Sequence, residues 1–380
     1  MIMWVSTPPS DKVRALVTLL SRPDWSGSQY GDGLRTMAAG FLDHPDSTIR
    51  MVAVPALPHL FTDPGRLRDE LLGRMADEEH PGTRAQLLGV LDSALASYPD
   101  RMDSVLECLS GNPLWPELSA APEAATTEPD TSPADISDYL IRILIALAIL
   151  HQQPFAERLL RTWLSDPASH PHRSGRTCTW LRDYLTPRAA APAGTAERAF
   201  TLLALPIAQA TALWSQAAEA SQPLTPGQQA QLLAVVKTGD CIATTLYFAS
   251  GAAPASREST PAAPRYATLA FPVLEQLAQL TYPAVVHRVA ETLEHLAEHD
   301  PPRAFLATAA AATPPHGYQW ESQGADTIMR IIDRYAADYR DLLLTQPACL
   351  AALRRMLETF ARSGWAQAIQ RVQDLSEFLY

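Results

Sequence analysis

Six ionisable side chains crowd one short stretch of the chain: His287, Glu291, Glu294, His295, Glu298 and His299. His287, Glu291, His295 and His299 recur every four residues, the interval at which a helix stacks side chains on one face. Imidazoles and carboxylates so placed are the donors of a metal site. The same stretch carries Val285, Val289, Leu293 and Leu296. At about 100° per residue, that apolar stripe leaves His287, Glu291, Glu294 and Glu298 on the far side. The expectation is a solvated helix face and no metal.

A second candidate is the locally basic segment His151 to Arg188. Arg158, Arg161, Arg173, Arg176, Arg182 and Arg188 outnumber Glu157, Asp166 and Asp183 there. Its densest part, Ser169-His170-Pro171-His172-Arg173-Ser174-Gly175-Arg176, is followed by Trp180 and Tyr184. Arginine interleaved with aromatics suits contact with an anion or a nucleic acid. The plainer reading is an exposed loop in a chain that uses arginine for nearly every cation, and it is preferred. If one segment touches a partner or an anion, His170, His172, Arg173, Arg176 and Trp180 are its residues. The glycine-rich run Trp25 to Gly33 lacks the lysine and the preceding strand of a phosphate loop and reads as a turn between helices. There is no His-Glu-x-x-His, no Gly-x-Ser-x-Gly and no Gly-x-x-x-x-Gly-Lys-Ser/Thr. No catalytic residue, metal or cofactor is therefore expected, and the chain reads as a non-enzyme.

The elements that carry these side chains are helices. Asp43-His44-Pro45-Asp46-Ser47-Thr48-Ile49-Arg50 opens an apolar stripe running through Ala53 and Leu57 to Leu60. Thirty-four residues on, Asp77-Glu78-Glu79-His80-Pro81-Gly82-Thr83-Arg84 opens another through Leu87, Leu88, Leu91 and Leu95. An acidic, proline-containing turn with an arginine in the following helical turn, written twice at a fixed interval, is a structural repeat. Asp46, Arg50 and Arg84 are the residues expected to bridge adjacent repeats, Arg50 toward Asp46 and Arg84 toward Glu78 or Glu79. Helical periodicity continues over about 155–164, 196–204, 206–220, 225–237, 266–280, 284–299, 302–311, 324–343, 347–361 and 365–379. Asp240 to Phe248 alone has strand character, and a helix fits it equally well. The 32 prolines fall mostly between these segments, as stops and starts of short helices.

Periodicity fails over 112–135, over 188–195 and over 251–264, which read as linkers. They divide the chain into N-terminal repeats (1–111), a middle helical block (136–250) and a C-terminal block (265–380). The expected fold is all-α, a solenoid of stacked antiparallel helix pairs, irregular in its middle third.

Bulk properties narrow the function. The net charge is −11 with a pI near 5.4, which argues against general attraction to phosphate backbones. Two lysines, Lys12 and Lys237, stand against 28 arginines. Cys108, Cys178, Cys241 and Cys349 are widely spaced and read as reduced thiols. The N-terminal residues do not have the form of a secretory signal. The apolar run Tyr139 to Leu150, broken by Arg142, is shorter than the roughly 20 residues a membrane span needs. A cytoplasmic protein with no membrane contact is expected.

The turn-then-arginine pattern resembles HEAT repeats, clearly over 42–97 and more weakly over 282–300, where Tyr282-Pro283-Ala284-Val285-Val286-His287-Arg288 opens a helix. The C-terminal third, with His316-Gly317-Tyr318-Gln319-Trp320-Glu321-Ser322, Ile331 to Arg340 and Phe360 to Ala368, resembles the helical region of large bacterial ATPases associated with antiphage defence. The nucleotide-binding motif of those ATPases is absent from this sequence. The resemblances imply a helical scaffold or sensor that binds a protein partner. The alternative they leave is a HEAT-like protein acting on nucleic acid through 158–188.

Overall fold

The computed structural model describes residues 9–97, 136–186, 191–220, 222–253, 264–313, 322–364 and 369–371. The linker 112–135 and most of the linker 251–264 lie outside these residues, as do Cys108, the motif at 316–321 and nearly all of the expected helix 365–379. The protein is all-α among the described residues, with eighteen helices and one 3-10 turn. The chain divides into two compact units, residues 1–157 and 158–380.

Eleven of the eighteen helices begin on proline. Proline at the first helical position gives up an N–H that has no partner there anyway and fixes the right φ. The prolines therefore mark helix starts as well as breaks. Side-chain caps complete several starts: Asp46 accepts from the Thr48 N–H and Asp63 from the Arg66 N–H. Thr225 and Gln228 form a reciprocal capping box, which satisfies two otherwise orphaned amides.

The first unit contains α1 (Pro9–Leu20), α2 (Pro23–Ser26), α3 (Gly31–Leu42), α4 (Ser47–Ala53), the 3-10 turn Val54–Ala56, α5 (Leu57–Leu60), α6 (Pro64–Asp77), α7 (Pro81–Ser97) and α8 (Ile136–Ile149). Pro55 and Pro58 break the first repeat helix into α4, the 3-10 turn and α5, because each removes a helical hydrogen bond. α1 packs on α3 and α4, α4 on α7, and α7 on α8. Leu16, Leu20, Leu34, Ala38 and Ala56 form a buried cluster among them. α9 (Pro154–Ser165) spans the division between the units.

The second unit continues with α10 (Pro171–Leu185), α11 (Thr195–Glu219), α12 (Pro226–Ser250), α13 (Pro264–Leu277), α14 (Pro283–Leu296), α15 (Pro301–Ala312), α16 (Ser322–Asp338), α17 (Arg340–Thr345) and α18 (Pro347–Arg362). Its packing is sequential. α10 lies against α12, α12 against α14, and α14 against α16; α11 lies against α13, α13 against α15, and α15 against α18. Neighbours in sequence also pair, α10 with α11 and α14 with α15 among them.

One expected break is absent, and one open choice is decided. α11 runs through the buried Pro206 without interruption. The segment Asp240 to Phe248 is the C-terminal half of α12, not a strand. Here burial overrides β-propensity: Ile242, Ala243, Thr245, Leu246 and Tyr247 are all buried against neighbouring helices. By length and composition α12 could cross a membrane, but 56% of its most apolar window is buried inside the molecule, as suits a core helix. Gly239 makes that packing possible, since a Cβ there would stand 2.4 Å from Leu280 Cδ2.

Candidate functional site

The two repeat turns create the most developed site in the first unit. In the first turn, Asp46 caps α4, its pKa lowered by the Thr48 N–H. Arg50, one turn into the helix, points back across the loop. Its Nη1 donates to the carbonyl oxygens of His44 (2.8 Å) and Pro45 (2.9 Å). In the second turn, Arg84 donates to the carbonyl of Glu78. Each arginine thus reaches a carbonyl six residues earlier, and the repeat seen in the sequence is a repeat of hydrogen bonding.

Arg50 also joins the two turns. Its Nε and Nη2 grip Glu78 at 2.8 and 2.7 Å. The Glu78 side chain is only 7% exposed, and a forked guanidinium is the cation best shaped to neutralise a buried carboxylate. Arg50 holds the Glu78 carboxyl below the ordinary glutamate range, helped by the His80 N–H at 2.9 Å. Asp46 contributes to Arg50 only through its charge, so the bridging partner is Glu78. A second arginine acts in parallel. Arg74, on α6, donates to the Leu42 carbonyl (3.0 Å), to Asp43 (2.9 Å) and to Glu70 (2.6 Å). Arg74 was not legible in the sequence because the position thirty-four residues earlier is Gly40, so no duplicate marks it.

Between these turns and α6 lies a groove of about 660 Å³. Its walls carry Asp43, Asp69, Glu70, Asp77, Glu78 and Glu79 against only Arg50 and Arg74. Both arginines are engaged in ion pairs, while Asp77 and Glu79 are exposed. The groove therefore presents a surplus of carboxylates, on a floor that includes Leu42, Val54 and Leu87.

The basic segment proposed from sequence is a helix, not a loop. His170 stands at the N-cap of α10, and His172, Arg173, Arg176 and Trp180 lie along it, all half-buried. The Arg173 guanidinium lies 5.1 Å from the Trp163 ring centre, and that of Arg176 5.8 Å from Trp180. These are cation–π distances, so both arginines are partly used in packing. Beside them Asp166 accepts hydrogen bonds from the Ser169 N–H and Gln209, and its pKa is lowered chiefly by the Ser169 hydroxyl, with Gln209 and the Ser169 N–H adding to it.

The ionisable cluster on α14 also differs from its expected solvation. Glu298 is exposed, but His287, Glu291 and Glu294 are half-buried. Arg330 of α16 forks onto Glu294 at 2.8 and 2.7 Å, and Arg334 donates to the Glu294 carbonyl at 2.8 Å. The far side of α14 is thus partly an inter-helix surface. Among the described residues no three His, Cys, Asp or Glu side chains come together to hold a metal ion.

None of the three described thiols has the electrostatics of an activated nucleophile. Burial pushes the thiols of Cys178, Cys241 and Cys349 up, whereas a reactive thiol is held down. Burial likewise raises Asp92, 3.0 Å from Arg142, and Asp240, near Arg288.

No protein-family model and no curated protein matches the chain. Among solved structures, the crystal structure of an engineered protein is similar over 94% of this chain and 96% of its own, at 13% identity and a TM-score of 0.29. So low a score carries no argument about function.

Proposed function

We propose that the protein is a non-enzymatic α-solenoid of HEAT-like helix pairs whose acidic groove receives a basic stretch of a partner protein. Support for the architecture comes from the packing order, in which α10, α11, α12, α13 and α14 each lie against the helix two positions on. Such stacking generates extended binding surfaces. Support for the partner comes from the groove at the two repeat turns, where Asp77 and Glu79 stay exposed after Asp43 and Glu70 pair with Arg74, Glu78 with Arg50 and Asp69 with Arg68. Unpaired carboxylates beside an apolar floor suit arginine or lysine side chains, whose stems are apolar and whose heads are cationic. A cytoplasmic location and association with a defence ATPase belong to the same proposal.

Fluorescence anisotropy with labelled peptides tests it. A peptide rich in arginine and lysine should bind, weaken as salt is raised, and lose at least tenfold in affinity on Asp77→Lys plus Glu79→Lys. Equal binding of an acidic peptide would overturn the proposal. So would a gel shift with DNA or RNA that Arg173→Ala and Arg176→Ala abolish, since that is the signature of the nucleic-acid alternative.

A further inference from the structure

The outward face of α3 has no intramolecular explanation. Leu34, Ala38 and Leu42 turn inward and are buried. On the other side, Tyr30 is 60% and Met37 52% exposed, and Trp25 of the adjoining α2 is 39% exposed. Tyr30, Gly33, Met37 and Gly40 fall three, four and three residues apart. At about 100° per residue they occupy one narrow sector, the spacing of a helix–helix seam. The sector contains no charge; the nearby Asp32 is bonded to Arg35 at 2.8 Å.

Both glycines weaken the helix relative to alanine, and the fold does not require either. A Cβ at Gly33 or at Gly40 would meet nothing within 4 Å. Gly239 is the contrast, since its missing Cβ admits Leu280. An absent side chain in open space, next to an exposed large one, is a hollow beside a knob. Two knobs and two hollows alternate here: Tyr30, Gly33, Met37, Gly40.

We infer that α3 is the seam of a homodimer, packed antiparallel on α3 of a second copy about a two-fold axis that crosses the seam at the level of residue 35, whose own side chain lies on the opposite side of the helix. That axis sets Tyr30 against Gly40 of the second copy, and Met37 against its Gly33. Each large side chain then enters a glycine hollow, and the match is self-complementary, as a two-fold interface must be. No other register of the antiparallel pair does this for all four residues. A charge-free seam also suits two copies that each carry −11. The helix has 12 residues, about 18 Å long. A pair of that length with Trp25 at its end buries on the order of 1,000 Å² in total, at the low end for specific association. A Kd on the order of 10 µM is expected.

Sedimentation equilibrium of the full chain between about 1 and 500 µM decides the matter. The 41.4 kDa monomer should convert to a dimer across that range. Met37→Arg should abolish the dimer with unchanged helicity and melting temperature, and Met37→Ser serves if the arginine variant misfolds. Gly33→Leu should weaken it at least tenfold by filling the hollow, while Leu233→Arg, a change to an exposed leucine elsewhere, should leave it intact. Under mild oxidation the double variant Gly33→Cys, Met37→Cys should form an intermolecular disulfide that peptide mapping places between positions 33 and 37. A monomer at every concentration overturns the inference. A dimer indifferent to Met37→Arg overturns it equally.

Discussion

Arg50 makes the most demanding set of contacts of any side chain in the repeat turns: two backbone carbonyls of its own loop and a two-pronged grip on Glu78 of the next. Arg50→Ala would leave the Glu78 carboxylate buried with only the His80 N–H for company. A loss of about 1–3 kcal/mol is expected, read as a lower midpoint in thermal or urea unfolding. Arg50→Lys should recover little, because an ammonium cannot fork. The pair also has a pH signature. Glu78 is held below the ordinary value of 4.5 in the folded chain. Its contribution is complete above about pH 4.5 and fades as pH falls through the depressed folded value. A Glu78→Gln variant should therefore lose less stability than the wild type between neutral and acid pH. The sequence pointed to Arg50 and Arg84 through their duplication. It could not supply the partner, since Glu78 comes close only when two turns stack.

At the scale of the helix, periodicity and proline together located most elements, because an apolar stripe must be buried and a proline start leaves a trace. They did not locate α10, whose polar, arginine-rich sequence reads as a loop. The errors share a cause. The break expected near Pro206 follows local preference, whereas Pro206 sits inside a 25-residue helix buried against several neighbours; the same burial decides for helix around Ile242, where strand and helix stood equally open. The half-burial of Glu294 was equally hidden, because its cover comes from Arg330, thirty-six residues later. The acidic groove was illegible for the same reason, being assembled from α6 and two separate turns. Glycines on helices offer a direct test of which neighbours matter. Gly239→Ala, forced against Leu280, should destabilise by about 1–3 kcal/mol. Gly40→Ala, in open space, should stabilise the isolated monomer by up to about 1 kcal/mol. Differential scanning calorimetry at low protein concentration distinguishes the two signs.

Over the whole molecule, contacts divide into two compact units, and in the second each helix leans on its near neighbours. Stability in such an arrangement is a sum of local terms, so unfolding should not be a single all-or-none event. In urea, hydrogen exchange should show residues 9–97 and residues 264–362 losing protection at different midpoints, with Arg50→Ala moving only the first. Coincident midpoints under both conditions would contradict this picture. The same neighbour-by-neighbour packing bears on how the protein is made. The hydrogen bonds that tie α10 to α12 and α11 to the α13–α14 turn, Thr245 to Cys178 and Trp214 to Thr281, each span 67 residues. A helix leaving the ribosome meets its packing partner as soon as the next pair has emerged, with no distant strand to await. The growing chain can bury its apolar faces in the order in which they are synthesised, and little oily surface is left waiting for the end of translation.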